Sequence, residues 1–211
     1  MAKKAQRKTK KDPAGQGQRQ WLLLIYKVPQ DPPGRRTYVW RQLKQLGAVY
    51  LQQAAGVLPE RPEVRAALEA LAGRIREFEG EVSLLETTSP DPVWERDLVA
   101  RFNQARGDEY AELIKNVARL EDERGRETTL GKFSFVELED LEAESEKLQK
   151  WCERITARDF FAASDRVAAL QALARAQTGL ANFAAAVYQA EGIQGEGRAL
   201  PAPNGVAHHT G

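Results

Sequence analysis

Two hydrophobic patterns follow one another along this chain. Trp21 to Tyr26 is a near-continuous apolar run, and Pro29 with the cluster Asp31-Pro32-Pro33-Gly34 stops it. Such a run predicts a central strand covered on both faces. From Arg35 to Leu46, the residues Val39, Leu43 and Leu46 recur at helical spacing with Trp40 beside them, and Gly47 stands as a C-cap. Ala48–Gln52 and Gly56–Leu58 predict a short strand pair or one bulged strand, ended by Pro59. Pro62 opens a second helix where its missing N–H costs nothing, with Val64, Leu68, Leu71, Ile75 and Phe78 as the apolar stripe. Gly80 is expected to close it, and Glu81–Thr87 to form another strand. The order β-α-β-β-α-β over about residues 20–88 is the split βαβ arrangement, an α+β ferredoxin-like domain. A winged-helix-type domain is the alternative, against which the long apolar opening strand argues.

From Pro90 onward the period is helical throughout. Asp91-Pro92 is a helix start, complemented by Glu95 and Asp97. Trp94, Leu98 and Phe102 share a face, Gly107 breaks or softens the helix, and Tyr110, Leu113, Val117 and Leu120 resume the spacing. Ser134-Phe135-Val136-Glu137 reads as a capping box. The next helix sets Leu138, Leu141, Ser145, Leu148, Cys152 and Ile155 on one seam. Ser164-Asp165 is expected to cap an Ala-rich last helix with Val167, Leu170, Ala174, Gln177, Leu180, Ala184 and Val187 as its seam. The second half therefore predicts an all-α helical hairpin or small bundle. The expected organisation is a disordered basic arm over 1–19, the ferredoxin-like domain over 20–89, the helical domain over 90–191 and a disordered tail over 192–211.

Charge adds an asymmetry that the net +1 conceals: residues 1–50 hold 12 basic and 2 acidic residues, and residues 51–211 hold 19 basic and 28 acidic. Lys3, Lys4, Arg7, Lys8, Lys10 and Lys11 crowd the first eleven positions. They read either as a solubilising tail or as an arm that a phosphate backbone orders. Arg35, Arg36, Arg41 and Lys44 stud the first helix, and with the arm they predict a DNA-binding surface, with no recognition helix to address sequence readout. No apolar run is long enough for a membrane span, and the basic start lacks a signal peptide's apolar segment, so a cytoplasmic protein is expected.

Catalytic chemistry has few residues to work with. The two histidines, His208 and His209, stand together near the end of the chain, outside the predicted domains. A Ser-His-Asp or Cys-His arrangement in the folded part is therefore not expected. Cys152 on an apolar seam reads as a buried structural thiol. No Gly-rich phosphate loop is present, and no cofactor is expected. Carboxylates on the acidic helices, Glu112, Glu121, Glu137 and Glu139 among them, suit a solvated face and lack the His of a di-metal bundle. A carboxylate-metal enzyme and a helical interaction scaffold remain as alternatives. Within the acidic half, Arg124, Arg126, Lys132, Arg154 and Arg158 sit near helix ends. They compensate helix dipoles or form a small oxyanion site, for which guanidinium forks are suited.

The stretches WLLLIYKVP (Trp21–Pro29) and VWRQLKQLGAVYLQQAAGVLP (Val39–Pro59) carry a family resemblance. So do Tyr110, Lys132–Glu139 (KFSFVELE), Trp151 and Arg158-Asp159-Phe160-Phe161. Over about residues 20–190 the sequence resembles the N-terminal domain of the bacterial chromate-resistance regulator family (ChrB-type). That resemblance implies a chromate-responsive transcriptional regulator, encoded with a chromate efflux transporter. It implies a further C-terminal domain as well, rich in additional His and Cys, which this chain is expected to lack. A stand-alone DNA-binding or accessory protein is the corresponding expectation, with DNA and an oxyanion such as chromate as partners. A homodimer through the sheet or the helical hairpin is also expected. The first strand is distantly similar to the Cas2-like domains of phenylacetate-type repressors. Nucleases of that kind need an Asp near the strand end, where this chain has Tyr26-Lys27-Val28-Pro29, so no enzyme is expected.

Overall fold

A computed structural model of the chain describes residues 19–31 and 33–192. Strand β1 (Trp21–Lys27) leads into helix α1 (Arg35–Leu46), followed by β2 (Val49–Gln52), β3 (Ala55–Pro59), helix α2 (Pro62–Glu77) and β4 (Glu81–Thr87). The four strands form one antiparallel sheet in the order β2-β3-β1-β4, which is the ferredoxin-like arrangement. Between β2 and β3 the register shifts between Tyr50 and Gln52, so the pair is also bulged. Helices α3 (Pro92–Thr129), α4 (Phe135–Ala157) and α5 (Arg166–Ala190) complete the described residues. Among the described residues no helix is long and apolar enough to cross a membrane.

The chain divides into two compact units, and the division does not follow sequence order. The first unit takes residues up to Arg106 together with Arg158–Ala163; the second takes Gly107–Ala157 and the residues from Ser164 onward.

In the first unit, period-two alternation sends Leu22, Leu24 and Tyr26 of β1 to one sheet face. There they meet Val39 and Leu43 of α1 and Val64, Leu68, Leu71, Ala72 and Ile75 of α2. Each such large side chain, fully buried, contributes on the order of 1.5–3 kcal/mol. The opposite face is covered at one end only. Trp21, fully buried, packs there with Val49, Val57, Leu98 and Phe102. Its ring lies 5.9 Å from those of Phe102 and Phe161 and 6.4 Å from that of Trp94. Further along the same face Ile25 is 43% exposed. The expectation of a strand covered on both sides therefore holds at Trp21 and fails at Ile25, which lies beyond the reach of α3.

Helix α2 ends differently from its expected glycine stop. Glu79, not Gly80, takes the left-handed conformation (φ 61°), and the Gly80 N–H donates to the Ile75 carbonyl at 2.9 Å. Gly80 is needed for space: a Cβ there would lie 2.8 Å from the Lys27 carbonyl oxygen.

Among the described residues the second unit is three helical segments in up-down-up order. Tyr110 and Thr156 share a 3.4 Å hydroxyl contact, and the rings of Phe135, at the start of α4, and Tyr188, near the end of α5, lie 5.5 Å apart, so α4 runs antiparallel to both its neighbours. The expected α4 seam, Leu138, Leu141, Ser145, Leu148, Cys152 and Ile155, is the buried set. The Ser134 hydroxyl accepts the Glu137 N–H at 3.4 Å, one half of the expected capping box. Gly107 does not interrupt α3. Its missing Cβ leaves room for the Asp165 carboxylate, 2.9 Å from where that carbon would be.

Two expectations for α5 are corrected. Asp165 is its N-cap residue but makes no side-chain capping bond, and its carboxylate accepts the Ser164 hydroxyl at 3.2 Å instead. The buried face is Ala169, Ala172, Leu173, Ala176, Phe183 and Val187, while Val167 is 62% and Leu170 42% exposed. A run this rich in Ala carries more than one apolar stripe, and the helix buries the one whose small residues permit close approach.

Candidate functional site

Helix α1 begins at Gly34, whose φ of 102° turns the chain into the helix without a side-chain cap, and its first turn holds no acidic residue. Two arginines stand there instead, against the positive end of the helix dipole. Arg35 is drawn inward: it donates to the Phe78 carbonyl at 2.9 Å and to the Asp31 carbonyl at 3.4 Å. Its guanidinium also lies 5.4 Å from the centre of the Phe78 ring. Of the four basic residues expected to face DNA on this helix, Arg35 is thus engaged in tying α1 to the end of α2.

Arg36, Arg41 and Lys44 are exposed. Trp40 lies one turn from both Arg36 and Lys44, is 47% exposed, and has the Lys44 ammonium 5.9 Å from its ring centre. The stripe Arg36–Trp40–Lys44 therefore alternates cation, aromatic face and cation. No carboxylate occurs in the sequence between Asp31 and Glu60. The cations are plain in the composition of the helix. Trp40 is read beside the apolar stripe, and its position next to Val39, about 100° round the helix, sets it at the margin of that stripe. Lys3, Lys4, Arg7, Lys8, Lys10 and Lys11 lie outside the described residues.

The far end of α1 gathers further arginines. Gly47 closes the helix in the left-handed conformation (φ 82°), its N–H bonded to the Lys44 carbonyl at 3.0 Å. Arg158 packs its Cβ 3.0 Å from where a Gly47 side chain would begin and donates to the same Lys44 carbonyl at 3.2 Å. Arg101 donates to the Tyr50 carbonyl at 2.5 Å, and Arg106 is almost wholly buried. Neither stood out in the sequence, because both lie on a helix otherwise full of charge. Nearby, the Tyr50 hydroxyl is pushed well above the usual tyrosine range by burial and by its contact with Tyr26.

The five residues expected to hold an oxyanion are divided between the two compact units. Arg158 belongs to the first unit and is engaged with α1. Arg124, Arg126, Lys132 and Arg154 belong to the second unit. Arg126 and Arg154 are exposed, and Lys132 pairs with Glu127 at 3.4 Å. Arg124 is the distinctive member. Its guanidinium lies flat against α5 where Gly179 has no side chain, with Cζ and Nε each 2.9 Å from the position a Cβ would take. Its Nε is buried and has no hydrogen-bond partner among the described residues, a state that costs free energy unless an acceptor arrives. Among the described residues, no three of His, Cys, Asp and Glu come together in a way that would hold a metal ion. Cys152 is buried, and that burial raises its thiol above the ordinary range.

The family described as "Protein ChrB, N-terminal" matches residues 36–194, a span from the basic turn of α1 to just past α5. Protein ChrB of Cupriavidus metallidurans is 37% identical over 92 residues, which is 44% of this chain and 28% of that relative. The match thus spans little more than a quarter of the relative's own length. Because the family match runs through both compact units and over most of the chain, this protein belongs to the ChrB N-terminal family.

Proposed function

We propose that this protein is a cytoplasmic, chromate-responsive transcriptional regulator, or an accessory protein of chromate resistance, and not an enzyme. In this reading it grips DNA phosphates through Arg36, Arg41 and Lys44 and through the basic N-terminal segment. The observation that carries the reading is the α1 stripe, where exposed cations flank an exposed tryptophan in a stretch free of carboxylates. Arg36 opposes the helix dipole at a cost of about 0.3–1 kcal/mol, and no protein contact compensates it among those described. A phosphate would supply that contact. Trp40 offers a flat apolar face to a sugar or a base. The oxyanion part of the reading rests on Arg124, whose buried Nε calls for an acceptor. Arg126 and Lys132, close by in sequence, supply additional charge.

The test is a gel-shift titration of the operon's own promoter across salt, with and without chromate. Each phosphate contact contributes about 0.9 to the slope of log K against log salt, so Ala at Arg36, Arg41 and Lys44 together lowers it by roughly 2.7. Deleting residues 1–19 lowers it further. Arg35→Met leaves the slope unchanged and lowers the melting temperature, since that side chain is engaged internally. Chromate, but not sulfate, shifts the affinity, and Arg124→Met removes the response. Absence of retardation at low salt overturns the DNA reading.

A further inference from the structure

Two aromatic side chains of α1 reach the surface, and they differ in what holds them. Tyr38 is 38% exposed, and its ring stands edge-on to that of Phe78 at 5.7 Å, so it serves the packing of α1 against the end of α2. Trp40 lies two residues on, about 160° round the helix. It belongs to neither apolar cluster of the first unit and has the Lys44 ammonium over its ring. An indole left half in water forgoes the burial that its size would supply. Here it does so between two exposed cations, Arg36 one turn before it and Lys44 one turn after.

We propose, building on the DNA-binding reading above, that α1 holds an unpaired strand of DNA, with one base stacked on the Trp40 indole and the phosphates beside that base held by Arg36 and Lys44. The two cations stand about 12 Å apart along the helix axis, with the indole midway, so a nucleotide lying across Trp40 has one cation to either side. In a duplex the bases cover one another's faces and present only their edges in the grooves. An indole flanked by cations meets sugar and phosphate there, and no base face. In a single strand the face is open, and a positive track with an aromatic platform is the combination that binds such strands whatever their sequence. The carboxylate-free stretch between Asp31 and Glu60 leaves no fixed negative charge along α1 to repel the strand. A protein surface is the poorer occupant. An apolar one would strip water from Arg36 and Lys44 without pairing them, and an acidic one would offer charge but no flat partner for the indole.

Fluorescence anisotropy of the full chain at one low salt concentration tests this, with a labelled single strand of the promoter and the same strand annealed to its complement as the two probes. Trp40→Ala weakens binding of the single strand by about tenfold or more and of the duplex by less than about twofold, with the circular dichroism spectrum unchanged. Trp40→Phe, which keeps a ring, retains most of the single-strand affinity. Tyr38→Leu lowers the melting temperature and leaves both affinities as they were. The single strand quenches the tryptophan emission of the wild type, and Trp40→Phe removes that quench, since Trp21 is fully buried. Duplex binding that is intact while Trp40→Ala leaves the single strand unaffected, or weakens both probes equally, overturns this inference and leaves the DNA-binding reading standing. Wild-type protein that binds neither probe overturns both.

Discussion

The two compact units of this protein are held together by different means. In the first unit large side chains interlock, with Trp21 against Phe102, Trp94 and Phe161 on one sheet face and a Leu, Ile and Val cluster on the other. Arginines there act as staples to backbone carbonyls: Arg35 to Phe78, Arg61 to Phe160, Arg101 to Tyr50 and Arg158 to Lys44. The second unit is assembled on narrow seams with many small residues, and its surface carries Lys–Glu pairs one turn apart, such as Lys115–Glu112, Lys147–Glu144 and Lys150–Glu146. Such exposed pairs stabilise by only tenths of a kcal/mol. The difference teaches that a count of basic residues overstates the cations available to a ligand in the first unit. In the second unit the basic charge is largely at the surface.

That contrast can be attacked at three points. Trp21→Ala strikes the interlocked core, where the ring is fully buried, and should cost about 3–5 kcal/mol by chemical denaturation. A loss below about 1 kcal/mol would mean that the aromatic cluster is not what holds the unit. In the second unit, Ala169→Leu overfills a fully buried position and should cost roughly 1–3 kcal/mol, whereas Leu170→Ala, one residue on, should change stability by no more than about 0.5 kcal/mol. The reverse ranking would restore the seam first expected for α5. The smallest effect is titrational. Burial raises the Cys152 thiol, so the folded protein holds that proton more firmly than the unfolded chain does. Its contribution is complete below the unfolded pKa, about 8.5, and is lost as pH rises from there through the higher folded value. Melting temperature should therefore decline across that alkaline window in the wild type, and less steeply in Cys152→Ala.

How much of this was legible in the sequence depended on how distinct each stripe was. The α4 seam was readable residue by residue because Leu and Ile recur three and four apart among charged neighbours. The sheet and its order followed from strand and helix lengths and from where Pro and Gly fall. The α5 seam was not readable, because Ala contributes too little contrast between faces to say which one is buried. At the candidate DNA surface the charges were plain. The inward turn of Arg35 was hidden, since it depends on a carbonyl 43 residues away. Arg124 was visible only as one basic residue among several; what sets it apart is the glycine on α5 that lets it lie flat.

The return of Arg158–Ala163 to the first unit has a consequence for biosynthesis. A ribosome that has just extruded β4 has delivered every strand of the sheet, yet neither Phe160 nor Phe161, which pack against the Trp21 cluster. The amino-terminal unit therefore cannot finish folding during its own translation. It must wait until α4 has emerged, and a nascent chain stalled before that point would expose an indole and its neighbours to chaperones.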